Sequence, residues 1–284
     1  MLGGIDVGNS YPVRIMGIIN TSSESFYKKS IKRTVNDIKK EAKLMENGGA
    51  HYIDVGGMST APYGDTMISE EVEKRRVQAA IDAVSQACSI PISVDTVRSG
   101  VAQTAIESGA TILNDVTGFN YDKKMLNIIS RYSPDIVLCA HSNKKNTGTI
   151  QDTAEIINYT IRRIEKYGAD KSRMVIDPCI GFFRDSSSPW CTRINYNWAQ
   201  RDISIIRDLS YMAEDMPVLV SASNKSFIGQ ILGDRSTDDR LYGSIAAEVM
   251  SVVGGVDVIR THNVHHSLDA VRVASAIIRR SCDC

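Results

Sequence analysis

A polar side chain recurs at the C-terminal end of one short apolar run after another in this chain of 284 residues. The runs are rich in Ile, Val and Leu, as strands buried on both faces are. Such a strand has no structural use for a charged or amide side chain at its end, so these residues are candidates for chemistry. They are Asn20, Asp54, Asp95, Asn114, Asp177, Lys225 and Arg260.

Three of these strand ends offer hydrogen-bond acceptors. Asp95 and Asp177 are carboxylates, and Asn114 supplies both a donor and an acceptor. If the three converge on one cavity, they suit the row of N–H donors on an amino-pyrimidine edge. A lone strand-end Asp is more often a helix cap or a loop organiser, so convergence of the three decides between the two interpretations.

The last strand ends are basic. Lys225 lies in a loop of small residues, and Arg260 and His262 follow the final strand. A cationic trio of this kind can hold a diphosphate and stabilise it as it leaves. The alternative is an ordinary solvated Lys and Arg.

Eight short β-branched runs alternate with segments of helical period. Strands are predicted near 13–19, 51–55, 91–95, 111–115, 135–140, 173–177, 217–222 and 256–260. Helices are predicted near 34–48, 69–87, 99–108, 122–132, 152–168, 197–214, 240–253 and 266–280. This alternation favours a (β/α)8 TIM barrel, one domain over 1–284 with the barrel proper at about 12–280. The competing fold, an open doubly wound sheet, more often carries a Gly-rich fingerprint after its first strand, and none is present.

Composition excludes several classes of function. Lys and Arg together number 33, as do Asp and Glu, so no net field favours nucleic acid or an anionic membrane. No apolar run of about 18 residues predicts a membrane span, and the N-terminus lacks the pattern of a secretory signal. We therefore expect a cytoplasmic protein with no nucleic-acid or membrane partner. No zinc motif, P-loop or Ser-His-Asp spacing is visible, and His141 is expected to close a hydrogen-bond network rather than bind a metal.

The same residues resemble the dihydropteroate synthase family over nearly the whole chain. Seven motifs stand in the family's order and spacing, and it is their combination that is specific. They are MGIIN at 16–20 with SF at 25–26, DVGGMST at 54–60, SVDT at 93–96, ILNDV at 112–116, DPCIGF at 177–182, NKSFIG at 224–229 and RTHNV at 260–264.

The resemblance implies a transferase that joins 6-hydroxymethyl-7,8-dihydropterin diphosphate to an arylamine, 4-aminobenzoate by default, and releases pyrophosphate. It implies that the pterin is held by Asp95, Asn114, Asp177 and Lys225. It assigns the diphosphate to Asn20, Arg260 and His262, with Mg2+ near Asn20. Around the arylamine it places Thr60, Phe182 and Ser223. Asp177, Lys225 and Asp95 are the expected catalytic residues, and a homodimer formed through barrel helices is expected.

The departures from the family pattern lie on the arylamine side. Ala61 and Asn224 stand where arginines are usual, Cys179 where a glycine is usual, and Phe183-Arg184 where Gly-Lys is usual. The loop that leads to Asn197 is also longer. These changes suggest an altered second substrate.

Three alternatives stay open at this point. The first is a methanopterin-pathway variant that uses a ribofuranosyl-aminobenzene phosphate, with room at Ala61 and with Arg184 meeting the phosphate. The second is a methyl-tetrahydropterin:corrinoid methyltransferase, which would need no diphosphate site and is disfavoured by Lys225, Arg260 and His262. The third is a pterin-binding protein without catalysis.

Overall fold

Eight parallel strands form a barrel in the computed structural model, which describes residues 1–8, 11–22, 34–61, 66–213 and 216–278. All eight predicted strands are confirmed. The barrel strands are β1 (Arg14–Asn20), β2 (Tyr52–Gly56), β3 (Ile92–Asp95), β4 (Ile112–Asp115), β5 (Asp135–Cys139), β6 (Met174–Asp177), β9 (Leu219–Val220) and β10 (Val258–Thr261). Two further short strands, β7 (Phe183–Arg184) and β8 (Thr192–Arg193), pair with each other in the loop after β6.

The register brings the strand ends together. The hydrogen-bonded order is β6-β5-β4-β3-β2-β1-β10-β9, and a parallel bridge between Ile176 and Val218 joins the two ends of that order. Asp95 lies opposite Asn114 on the neighbouring strand. Because parallel strands of a barrel all end on one face, the polar strand ends share that face.

Helices cover the barrel between successive strands. They are α1 (Val35–Asn47), α2 (Glu70–Ala87), α3 (Ser99–Glu107), α4 (Met125–Tyr132), α5 (Ile150–Glu165), α6 (Trp198–Arg207), α7 (Ser210–Ala213), α8 (Ser226–Ile231), α9 (Leu241–Val253) and α10 (Val264–Ile277). Side-chain oxygens of Thr34, Ser69, Thr149 and Asn197 cap backbone N–H groups where four of them begin. Within the described ranges, no helix is both long and apolar enough to cross a membrane.

The helix predictions needed two corrections. The helix predicted near 197–214 is divided into α6 and α7, and the one near 266–280 begins at Val264. The short helix α8, which begins directly after Lys225, was not predicted. Its six residues are too few to show an amphipathic period.

The barrel interior is filled from the other end. Leu2, in a short N-terminal bridge with Ile5, is fully buried among inward-facing strand residues. They are Met16, Tyr52, Ile112, Val137, Val175, Leu219 and Val258. The Gly3 N–H donates to Asp135 Oδ2 at 2.5 Å and so fastens this segment beneath the strands. A packed interior leaves space for a ligand at the carboxyl ends of the strands.

Candidate functional site

A pocket opens at the carboxyl ends of the strands and contains most of the predicted site residues. It is lined by Ile18, Asn20, Met58, Ser59, Thr60, Ala61, Asp95, Gly181, Phe182, Ser221, Ser223, Asn224, Lys225, Ser226, Thr237, Arg260 and His262. The two predicted residues outside this lining, Asn114 and Asp177, are buried at the neighbouring ends of β4 and β6. The ring of strand-end residues therefore does converge. Ser25 and Phe26, in the first motif, lie outside the described residues.

An arginine held between two carboxylates lines the pocket. Arg260 donates to Asp54 Oδ2 through Nε at 2.6 Å and to Asp95 Oδ2 through Nη2 at 2.8 Å. The Asn114 amide also donates to Asp54 Oδ2, at 3.2 Å. Asp54 is thus the common acceptor of a buried network, a role that the strand-end pattern alone did not assign to it.

This network sets the charge states of its members. Burial raises the pKa of Asp95 to about 7, against the attraction of Arg260, and the neighbouring Asp54 raises it further. Burial also opposes the charge on Arg260, but Asp54 and Asp95 outweigh that effect and raise the pKa of Arg260 above its ordinary value. Arg260 stays cationic, whereas Asp95 gains or loses a proton near neutral pH.

Asp177 contacts two cysteines, one through its backbone N–H and one through its thiol. Its Oδ1 accepts the Cys179 N–H at 2.6 Å, and its Oδ2 lies 3.8 Å from Cys139 Sγ. Burial raises the pKa of Asp177, while the Cys179 amide and Lys225 act in the opposite direction. Cys179 adopts a left-handed backbone with φ of +62°, which explains why glycine is usual at this position.

Lys225 crosses the pocket toward the loop after β6. Its Nζ lies 4.5 Å from the centre of the Phe182 ring, within cation–π range. Gly181, with φ of +89°, lies beneath the lysine stem, and a Cβ there would come within 3.1 Å of Lys225 Cδ. Burial lowers the pKa of Lys225, and Asp177 opposes that shift.

His262 is neutral in this site, so the predicted cationic trio is wrong. Its Nδ1 lies 3.0 Å from the Ser223 hydroxyl. Burial, followed by the charges of Arg260 and Lys225, lowers the pKa of His262 to about 3. The cations on the rim are therefore Lys225 and Arg260, and His262 contributes a neutral imidazole.

Arg184 does not face the pocket, contrary to the hypothesis that it meets a substrate phosphate. It is 6% exposed, and its guanidinium donates to the Gly181 carbonyl and to Ser226 Oγ. Asn224 lines the pocket with a left-handed backbone (φ of +58°), a conformation that Asn tolerates. Ala61 lines the pocket where an arginine is usual.

His141 closes a hydrogen-bond network, as predicted. Its Nε2 lies 3.2 Å from the Pro189 carbonyl, and the Asn120 amide lies 3.3 Å from its Nδ1. Arg163 in turn donates to Asn120 Oδ1 at 2.5 Å. The network connects the loops that follow β4, β5 and β6, because each loop supplies one member.

Comparison with known proteins places this geometry in a family. Residues 16–262 match a family described as pterin binding enzyme. Dihydropteroate synthase from Synechocystis sp. is 31% identical over 275 residues, which cover 93% of this chain and 90% of that protein. The Escherichia coli (strain K12) dihydropteroate synthase is 32% identical over 285 residues, 97% of this chain and 95% of that one.

The chain belongs to the dihydropteroate synthase family.

Solved structures of the dihydropteroate synthase family have the same fold. The Coxiella burnetii enzyme in complex with pteroic acid is 30% identical, with a TM-score of 0.81 over 94% of this chain and 93% of that chain. The Xanthomonas albilineans enzyme with 4-aminobenzoic acid is 28% identical, with a TM-score of 0.81 over 94% of both chains. The TIM-barrel prediction is confirmed.

The buried network at Asp54 predicts a strongly non-additive double mutant. Asp54→Asn removes one of the two carboxylates that compensate Arg260, and we expect it to lower the free energy of unfolding by about 3 kcal/mol. In the Asp54→Asn/Arg260→Met double variant the cation is removed as well. The double variant should be more stable than the sum of the single effects by about 1–3 kcal/mol. Urea unfolding of the wild type, the Asp54→Asn and Arg260→Met single variants and the double variant measures this coupling. Additive effects would contradict the network.

Proposed function

We propose that this protein is a transferase that condenses 6-hydroxymethyl-7,8-dihydropterin diphosphate with 4-aminobenzoate and releases pyrophosphate, a step of folate biosynthesis. The observation that carries the proposal is the pocket of a dihydropteroate synthase family member in which buried acceptors and two rim cations converge. Pteroic acid and 4-aminobenzoic acid, which the solved relatives hold, contain the pterin and the arylamine of this reaction.

The acceptors on the floor suit the pterin. Asp95 and Asp177 present carboxylates, and Asn114 adds an amide whose nitrogen is directed to Asp54. The carbonyl oxygen of Asn114 accepts from Cys139 Sγ at 3.7 Å and has a second lone pair for another donor. A planar ring with a row of N–H groups satisfies these buried acceptors, whose desolvation is costly without partners. Lys225 completes this side, and its stem passes over Gly181.

The diphosphate fits the rim around Arg260. Arg260 stays charged, and the neutral His262 next to it can donate one N–H or, once an anion reduces the local positive potential, take up a proton. Asn20 lines the same pocket. The three residues support binding of an anionic leaving group.

The donor set at Asn20 fits Mg2+ that is bound together with the diphosphate. Asn20 offers one amide oxygen, a hard ligand, and across the described ranges no cluster of three or more His, Cys, Asp and Glu side chains forms a metal cage. Mg2+ commonly keeps several waters and binds substrate phosphates plus one or two protein oxygens, which matches such a site. When bound there, Mg2+ would supply charge compensation for the departing pyrophosphate.

The reaction needs one bond to form and one to break. The arylamine nitrogen attacks the methylene carbon of the pterin, and the bond from that carbon to the diphosphate oxygen breaks. The amine then loses one proton to the released pyrophosphate or to water. Asp177 stabilises positive charge that develops on the ring, while Lys225 and Arg260 stabilise the leaving group. Asp95 holds the pterin in place. No covalent enzyme intermediate is required.

The arylamine side supports 4-aminobenzoate rather than a phosphorylated amine. Thr60, Phe182 and Ser223 line the pocket around the expected position of the amine. The methanopterin-pathway variant relied on Arg184 to meet a phosphate, but Arg184 is buried and bonded to Gly181 and Ser226. The case for that variant therefore rests on Ala61 alone.

A homodimer is proposed through the outer face of α9 and α10, which pack against each other. Large apolar side chains are exposed along this face, and a contiguous apolar patch marks an interaction site. They are Tyr242, Met250, Val253, Val273 and Ile277. The cytoplasmic location expected from the sequence stays a prediction.

Turnover with defined substrates tests the proposed function. The purified protein with Mg2+, dihydropterin diphosphate and 4-aminobenzoate should release one pyrophosphate for each dihydropteroate formed. Lys225→Met should lower kcat/KM about 100-fold, because a charge-assisted contact to the substrate is lost. Lys144→Met, which changes an exposed lysine on a loop at the same face, is the matched control and should leave kcat/KM unchanged. No product with 4-aminobenzoate, or preferred binding of methyl-tetrahydropterin, would overturn the proposal.

The pKa of Asp95 predicts a pH dependence of pterin binding. The pterin N–H groups require the carboxylate form, so binding below pH 7 must release a proton from Asp95. Affinity for 6-hydroxymethyl-7,8-dihydropterin should therefore fall by about tenfold per pH unit below 7 and level off above it. Calorimetry between pH 5.5 and 8 measures this, with Asp95→Asn as control. The same dependence in the Asp95→Asn variant would contradict the assignment.

The proposed interface predicts the mass in solution. Val273→Glu places a charge in the apolar face of α10, so we expect the dimer to dissociate. Leu44→Glu alters an exposed leucine on α1, on another part of the barrel, and should leave the dimer intact. Light scattering after size exclusion gives the mass of each protein. A monomeric wild type, or a Val273→Glu variant that stays dimeric, would refute the interface.

A further inference from the structure

A buried arginine joins two loops that form one wall of the pocket. Arg184 belongs to β7, and its Nε donates to the Gly181 carbonyl at 2.9 Å. Its Nη2 donates to Ser226 Oγ at 2.6 Å, at the start of α8. The guanidinium carbon also lies 3.6 Å from the centre of the Trp198 ring. The same group therefore contacts the loop after β6, the loop after β9 and helix α6.

The two loops that Arg184 joins carry a pair of residues that face each other in the pocket. Gly181 precedes Phe182, and Ser226 follows Lys225. Lys225 Nζ lies 4.5 Å from the Phe182 ring. The guanidinium is a planar group with donors in a fixed fork, so its two bonds determine how far apart their acceptors lie. The distance between the Phe182 and Lys225 sides is thus tied to Arg184.

The near end of the same loop is fixed from below. Arg201, fully buried, donates to the Pro178 carbonyl at 2.7 Å. The neighbouring Asp202 accepts the Gly181 N–H at 3.1 Å. These contacts hold the loop to α6, whereas the contact of Arg184 with Ser226 connects the loop to the residue next to Lys225. Loss of Arg184 would therefore leave the loop attached but change its distance from Lys225.

We propose that Arg184 is a positioning residue. It sets the distance between Phe182 and Lys225 in the wall of the pocket that binds the arylamine. The inference rests on the proposed function, in which Phe182 contacts the arylamine. Arg184 does not touch the substrate and acts through Gly181 and Ser226. Asp95, Asn114 and Asp177 hold the pterin from the strands, and Lys225 is the expected pterin contact that lies next to Ser226. Arg184 should therefore affect the second substrate more strongly than the first.

The test separates the two substrates kinetically. Arg184→Met keeps most of the apolar stem but removes both hydrogen bonds, and it should raise the KM for 4-aminobenzoate about tenfold. The KM for dihydropterin diphosphate should rise by a smaller factor, below about threefold, because Lys225 is one of four expected pterin contacts and Asp95, Asn114 and Asp177 lie on strands. Arg184→Lys retains the charge without the fork, so its KM for 4-aminobenzoate should stay raised. Equal increases in both KM values, or wild-type kinetics in Arg184→Lys, would overturn the proposal.

The matched control is Arg193→Met. Arg193 pairs in register with Arg184 across β7 and β8, but its side chain is exposed. Replacing it makes the same chemical change in the same small sheet without touching either loop contact. Its KM for 4-aminobenzoate should equal that of the wild type, and an increase like that of Arg184→Met would assign the effect to the small sheet instead.

A second measurement does not depend on catalysis. The chain has two tryptophans, so in a Trp190→Phe background the fluorescence reports Trp198 alone. Acrylamide quenching of Trp198 should increase when Arg184→Met removes the guanidinium that covers the ring. Unchanged quenching would refute the positioning role, whether or not the wild type releases pyrophosphate. Increased quenching in a protein that releases no pyrophosphate would refute the proposed function alone.

Discussion

The rest of the site depends on the compensation of Arg260 by Asp54 and Asp95. A guanidinium that is mostly removed from water needs carboxylates nearby, and these are Asp54 from the middle of β2 and Asp95 from the C-terminal end of β3. Burial, reinforced by the charge of Arg260, keeps His262 neutral and opposes a charge on Lys225. Asp54 also orients the amide of Asn114, so the acceptor surface and the rim cations are parts of one network.

In the proposed function, this arrangement lets two kinds of ligand chemistry share one pocket. The floor offers hydrogen-bond acceptors that are costly to leave unpaired because they are buried. The same burial raises the pKa of Asp95 to about 7. The rim offers cations whose charge is only partly neutralised by the floor. A ligand with N–H donors at one end and phosphates at the other satisfies both, and Arg260 lies at the boundary between them.

The strand-end residues were predictable because a strand that is buried on both faces has no structural use for a polar side chain at its end. This pattern indicated Asp95, Asn114, Asp177, Lys225 and Arg260. The alternation of strands and helices predicted the barrel. The strand-end pattern did not assign Asp54 a partner, because pairing across the barrel depends on register and side-chain reach. It also misjudged His262 and Arg184. The charge of His262 depends on burial beside two cations, and the direction of Arg184 depends on a small sheet too short to predict.

We propose that the ring of strand ends divides into a pterin side and a diphosphate side joined by Arg260. A crystal structure of the protein with bound dihydropterin diphosphate tests it most directly. We expect the amino-pyrimidine edge to lie against Asp95, Asn114 and Asp177. The phosphates should lie beside Arg260 and His262, and Arg260 should still be bonded to Asp54. A pterin ring placed away from these three residues, or an Arg260 released from Asp54, would contradict it.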